Sequence, residues 1–298
     1  MKVIRESTEF GLDMVRGLPR AYYYVKNKIP HKCIVKPRLV DMYKLISNNV
    51  IASEDYSPKN PPTLYQYTRP HWTMNEWEPP PLKKMFKKKI KVSFDKPAIV
   101  INNKFTLELP FHEIERVMIE NSDFSTEMGE IILNEKTKQV SINHYSLIFL
   151  SKFIKLFEKD YQIIYISPVY DEKYFQDHNI TLDMGDFSYL EKNHPDVYTI
   201  KTHMERYDLS YNNAQFELES ISEKHLTSMG GNCKVSSYFG GDVIIYNSNF
   251  WKYGHATKGN RRLFKTGSWL KLLSKANIVQ QNSYEDIIKY TKKNWKSS

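Results

Sequence analysis

Six short apolar runs, spaced widely enough for a helix between most of them, constrain this chain more than any other feature. They are residues 98–102 (AIVIN), 162–167 (QIIYIS), 197–201 (VYTIK), 225–228 (HLTS), 242–246 (DVIIY) and 277–280 (NIVQ). Several are rich in β-branched and aromatic residues and are bounded by turn formers, as buried parallel strands are. Between the first two, Leu147, Leu150, Ile154 and Phe157 recur at helical spacing, which predicts a helix within 144–159. A second helix is predicted to open at Ser283, where Asp286 completes a capping box. Strand–helix alternation of this kind predicts an α/β fold with a doubly wound, Rossmann-like parallel sheet.

The alternation starts just after Lys96-Pro97, a boundary that divides the chain into 1–95 and 96–298. Residues 1–95 show no repeating pattern. Their most distinctive stretch, PKNPPTLYQYTRPHWTMNEWEPPPLKK, is too rich in proline for a long helix or a central strand, so it reads as an extended, packed loop. Within it Arg69, His71, Trp72, Trp77 and Glu78 combine aromatic faces with hydrogen-bonding groups, the mixture that recognises sugar rings. Packing of the segment against the sheet accounts for the same aromatics.

With 298 residues and 41% hydrophobic content the chain is folded. Charges recur through its first twenty residues, and no stretch approaches the roughly 18 apolar residues of a membrane span, so a cytoplasmic protein without integral membrane association is expected. Only Cys33 and Cys233 occur, which fits free thiols in a reducing compartment and neither a disulfide framework nor a zinc site. The net charge is +9, but six lysines lie between Lys83 and Lys91, and without them +3 remains. That run is a solvated face or a contact for a polyanion, and the rest of the chain is nearly balanced.

The sharpest local feature is HLTSMGGNCKVSSYFGGDVIIY, residues 225–246, which reads as strand, glycine turn, short helix, second glycine turn and strand. In a doubly wound sheet the ligand crevice lies beyond the carboxyl ends of the strands, where Thr227, Ser228, Met229, Gly230, Gly231 and Asn232 fall. Glycines admit an anion close to the backbone, and the amides at the helix start supply donors and a favourable dipole. The opening strand ends in Asn103 and Lys104 on the same sheet edge, where a lysine can neutralise a phosphate. Glu108 follows in a loop closed by Pro110, within reach of the crevice for general-base work. A G-x-G-x-x-G fingerprint after the opening strand is absent, which argues against an NAD or FAD enzyme.

The segments NNKFTLELPFHEIERVM and YFGGDVIIY resemble the opening strand, basic loop, glutamate and donor-holding turn of α1,6-fucosyltransferase-like enzymes. They are similar also to related GT-B glycosyltransferases of large DNA viruses and microbes. The resemblance spans residues 96–282. It implies a GT-B-like fold with a smaller N-terminal lobe and transfer of a sugar from a nucleotide-sugar co-substrate to a hydroxyl of a glycan acceptor, metal-independent and inverting, with no further cofactor. It assigns Glu108 as the catalytic carboxylate and Thr227 to Asn232 as the donor loop. The paired arginines of such enzymes are replaced by Asn103-Lys104, and an acidic pair after the second strand by Ser167-Pro168. The second change weakens the case for GDP-fucose and favours a UDP-sugar such as UDP-xylose. The first requires another cation for the diphosphate, with Arg206 foremost and Arg261 and Arg262 behind it. No Asp-x-Asp follows an apolar strand, the Asp183 and Asp186 pair is spaced differently, and His112 and His203 are placed near the crevice. Two other classes stay open: a nucleic-acid-binding protein acting through Lys83 to Lys91, and a non-catalytic glycan-binding protein.

Overall fold

The computed structural model describes residues 1–5, 10–53, 75–105, 109–110, 132–134, 139–168, 184–248 and 270–296. The chain opens on three parallel strands, β1 (Lys2–Ile4), β2 (His31–Val35) and β3 (Val50–Ala52), side by side in that order. A helical turn Phe10–Leu12 and a π-turn Asp13–Gly17 lead into α1 (Leu18–Lys26). Short helices α2 (Val40–Lys44) and α3 (Leu82–Lys87) follow, with Phe86 of α3 set edge-on to Phe216.

The larger sheet begins at β4 (Ala98–Asn102). An antiparallel insertion follows, made of β5 (Leu109–Pro110), β6 (Ile132–Asn134) and β7 (Gln139–Ser141). Pro110 thus ends a two-residue strand where the sequence suggested loop. Then come α4 (Leu147–Phe157), β8 (Gln162–Ile166), α5 (Asp186–Asn193), β9 (Tyr198–Thr199), α6 (Ile200–Tyr207) and α7 (Tyr211–Ile221). The chain continues through β10 (Lys224–Ser228), α8 (Gly231–Phe239), β11 (Asp242–Tyr246), α9 (Lys271–Ser274), β12 (Asn277–Gln281) and α10 (Tyr284–Asn294).

The six strands lie in the order β12-β11-β10-β4-β8-β9, every neighbouring pair parallel. Numbered within the sheet, that is third, second, first, fourth, fifth, sixth, read from β9, which is the order of the dinucleotide-type Rossmann sheet. The α/β class, the Rossmann-like sheet and the smaller N-terminal lobe expected of a GT-B-like chain are therefore present. Strand period dictates the layers. Ile99, Ile101, Leu226, Ile244 and Tyr246 face α4 and α10, while Val243 and Ile245 face α8 and the N-terminal residues Ile4, Met14 and Leu18. The two sheets thus share a core.

Local signals fix the helix starts. Ser146 accepts a hydrogen bond from the Phe149 amide at 3.2 Å and opens α4, whose Phe149, Leu150, Phe153, Ile154 and Phe157 are buried. Ser283 accepts from the Asp286 amide at 3.1 Å and opens α10. Thr199 does the same for α6, and so early a helix start cuts β9 to two residues.

Candidate functional site

In this strand order the chain leaves β4 and β10, which are neighbours, toward opposite sides of the sheet, and a crevice opens beyond their carboxyl ends. Asn102 and Thr227 are register partners there. Asn103 and Lys104 continue one strand, and Met229, Gly230 and Gly231 the other. Gly230 holds φ 122° and ψ −143°, a conformation for which a side chain is strained. A Cβ at Gly230 would stand 2.7 Å from the Lys104 Nζ, so the lysine ammonium lies directly against the glycine turn. Helix α8 starts at Gly231 with no side chain capping its first amides. Amides that the N-cap glycine leaves without a side-chain cap, the positive end of a nine-residue helix and an adjacent ammonium are groups of the kind that can hold an anion.

The two loops are tied together. Asn232 Nδ2 reaches the Asn103 carbonyl at 3.4 Å, and Met229 donates its amide to the Tyr246 carbonyl at 2.9 Å. Cys233 Sγ meets the Gly230 carbonyl at 3.0 Å; burial raises this thiol's pKa, against the pull of nearby Lys234 and Lys104. The side chain of Asn103 is engaged within the fold: its Oδ1 accepts from the Tyr145 amide, and its Nδ2 donates to the Tyr145 carbonyl and the Tyr165 hydroxyl. Asn103 thus braces the loop that carries Lys104.

Beneath the crevice, on the α7 side, lies a buried polar cluster that sequence reading missed. Glu219 Oε1 accepts from Asn102 Nδ2 at 2.8 Å and from Ser236 Oγ at 2.9 Å. Its Oε2 stands 2.8 Å from His225 Nδ1 without hydrogen-bond alignment, and both side chains are fully buried. One carboxylate therefore links the end of β4, the strand β10 and the helix α8. On the other face of the sheet, the Ser228 hydroxyl is buried without a hydrogen-bond partner, while the Tyr145 hydroxyl is buried near the Tyr246 backbone and the Tyr246 hydroxyl near Ser248 and Tyr284. Ser228 and Tyr246 are register partners, and the Tyr145 and Tyr246 rings are 5.7 Å apart.

Other expected residues fall elsewhere. Arg206 lies on α6, beyond the edge strand β9, with its guanidinium over the Tyr198 ring at 5.7 Å. His203, on the same helix, is held between the Tyr198 hydroxyl and Glu217 at 3.1 Å each. Trp77 donates its indole N–H to the Val15 carbonyl at 2.8 Å and packs against the N-terminal core, and Glu78 pairs with Lys26. Asp186 accepts a hydrogen bond from Tyr165 at 2.6 Å. Glu108, Arg69, His71, Trp72, His112, Asp183, Arg261 and Arg262 lie outside the described residues. In the lysine run, Lys83 is tied to Glu223 and to the Ser222 carbonyl, and Lys91 to the Tyr207 carbonyl, so the six do not form one open face. Among the described residues no group of three or more His, Cys, Asp or Glu side chains is placed to hold a metal ion, and no helix is long and apolar enough to cross a membrane.

The loop that carries Tyr145 also makes the fold acid-sensitive. His144 is buried, with Nδ1 3.3 Å from Ser141 Oγ and Nε2 unpartnered, and desolvation lowers its pKa from 6.5 to about 4. Above pH 6.5 the imidazole is neutral whether the chain is folded or not. Below it the unfolded chain takes up a proton that the folded chain refuses, so stability falls by about 1.4 kcal/mol per pH unit until pH 4. Urea unfolding at pH 7 and pH 5 is expected to show this slope in the wild type and a flatter one in His144→Gln. Equal slopes would show that the residue is not its source.

No protein-family model matches the chain, and no curated protein matches it. Among solved structures, ADP-heptose lps heptosyltransferase II of E. coli is similar over 96% of this chain and 95% of that one, at 9% identity and a TM-score of 0.48.

Proposed function

We propose that the chain is a glycosyltransferase that takes a sugar from a nucleotide diphosphate and passes it to a hydroxyl of a glycan acceptor. The observation that carries this reading is the Lys104 ammonium against Gly230 at the crevice between β4 and β10, facing the uncapped start of α8. A diphosphate on that turn has its charge met by a cation, by backbone donors and by a helix dipole, which stabilise it most as it departs. The buried Ser228 hydroxyl adds a polar group at the strand end that a polyhydroxylated donor could satisfy.

In the proposed reaction Glu108 accepts the proton of the acceptor hydroxyl while that oxygen bonds to the anomeric carbon. The bond from that carbon to the diphosphate oxygen breaks, with inversion, and the electron pair leaves on the diphosphate beside Lys104. No metal is required for charge balance in this scheme. A UDP-sugar such as UDP-xylose is favoured over GDP-fucose because Ser167-Pro168 stands where a guanine-reading carboxylate would be.

Thermal shift against UDP-, GDP-, CMP- and dTDP-sugars tests the reading. Stabilisation by one nucleotide class is expected, and silence toward all four defeats it. Transfer at an undiminished rate by Glu108→Gln would remove that residue from the role of base.

A further inference from the structure

A crevice that lacks an arginine pair needs a second cation, and Arg206 is placed beyond the edge strand. A cation does stand in the first turn of α8 itself. Lys234 is half-buried, and its Nζ and Cδ lie 2.9 Å and 3.3 Å from where a Cβ on Gly11 would be. The Gly231 Cα lies 3.1 Å from that same point, and a Cβ on Gly231 would in turn meet Phe10 Cδ1 at 3.3 Å. The N-terminal turn Phe10–Leu12 therefore packs onto the start of α8, with glycine on both sides of the contact and the lysine stem across it.

Lys234 stands at the end of a helix that disfavours a cation. Cations are stabilised at the carboxyl end of a helix and disfavoured at its amino end. Among the described residues no carboxylate is ion-paired with Lys234, and Lys104 brings a second ammonium to the neighbouring glycine. A second observation is the Ser228 hydroxyl, fully buried and unpartnered at the end of β10 two residues before Gly230, on the α4 side of the sheet across the strand end from α8. Buried hydroxyls in folded proteins find partners, and this one is placed to bond a ligand at the strand end.

We propose that Lys234 is the second phosphate-binding cation: Lys104 at Gly230 and Lys234 at the contact of Gly231 with Gly11 together grip a diphosphate. The inference rests on the nucleotide-diphosphate reading of the same turn and adds that the N-terminal lobe, through Phe10 and Gly11, forms one wall of the donor site.

Isothermal titration with inorganic pyrophosphate and with UDP, on the full chain, tests it. Lys234→Met keeps the apolar stem over Gly11 and removes the charge. It is expected to weaken both ligands about tenfold, the loss of one charge-assisted contact. Its melting temperature without ligand should be no lower than that of the wild type, because an unpaired cation has left the positive helix end. Lys234→Arg should keep most of the affinity. Undiminished binding by Lys234→Met overturns the proposal, as does a collapse of its ligand-free melting temperature, which would give the lysine a structural role. Wild-type protein that binds pyrophosphate but responds to no nucleotide or nucleotide sugar would leave the two-lysine grip standing and defeat the donor reading instead.

Discussion

Glu219→Ala is expected to lower the stability of the fold by about 2–6 kcal/mol, because two buried donors lose their acceptor at about 1–3 kcal/mol each. The carboxylate faces Asn102, Ser236 and His225, at 2.8, 2.9 and 2.8 Å, with no exposure of its own. Removing it strands Asn102 Nδ2 and Ser236 Oγ, which donate to it, beside a cavity that His225 also faces. Glu219→Gln keeps the volume and one acceptor oxygen, so it should fall between the two. Thermal or urea unfolding checks the order, and a Glu219→Ala protein that melts with the wild type would show that the cluster contributes nothing. The consequence reaches the crevice because Asn102 leads into the Lys104 loop and Ser236 belongs to the helix that starts at the glycine turn. Glu219 thus ties together the elements that carry both halves of the proposed anion site.

No inspection of the sequence marks Glu219, since its contact with Asn102 joins residues 117 positions apart. Lys234 escapes for the same reason: its position against Gly11 is set by how the N-terminal turn packs on α8. The glycine turn and Lys104 were legible because each sits at the end of an apolar run, and parallel strands bring their carboxyl ends to one edge. All six runs are strands, five of them within a residue of the expected ends and the run at 197–201 shortened to Tyr198–Thr199. That shortening matters for the site. It begins α6 at Ile200 and leaves Arg206 beside Tyr198 rather than at the switch between β4 and β10. The N-terminal sheet gave no signal, because β1 and β3 have three residues each and expose Val3 and Ile51 by about half. Strands that short, with apolar side chains toward solvent, carry neither a continuous apolar run nor an alternation.

Gly230→Ala is expected to abolish the response to pyrophosphate while leaving the parallel sheet intact. The residue sits at φ 122°, where an L side chain costs about 1–3 kcal/mol, and its new methyl would meet the Lys104 Nζ at 2.7 Å. The end of a lysine can swing away, so the chain relieves the clash by moving the ammonium off the turn. That movement removes the charge from the place where the anion must lie, and any shift of the backbone toward a relaxed φ turns the first amides of α8 aside as well. Backbone strain alone has a matched control in Gly185→Ala. That residue is also in the left-handed region, at φ 67°, but a Cβ there meets nothing within 4 Å. Gly185→Ala should lose about 1–2 kcal/mol of stability and keep its affinity for pyrophosphate, whereas Gly230→Ala should lose the affinity with a similar cost in stability. Equal affinities in the two variants, measured by titration beside circular dichroism of each, would mean that the close approach of Lys104 to Gly230 plays no part in binding.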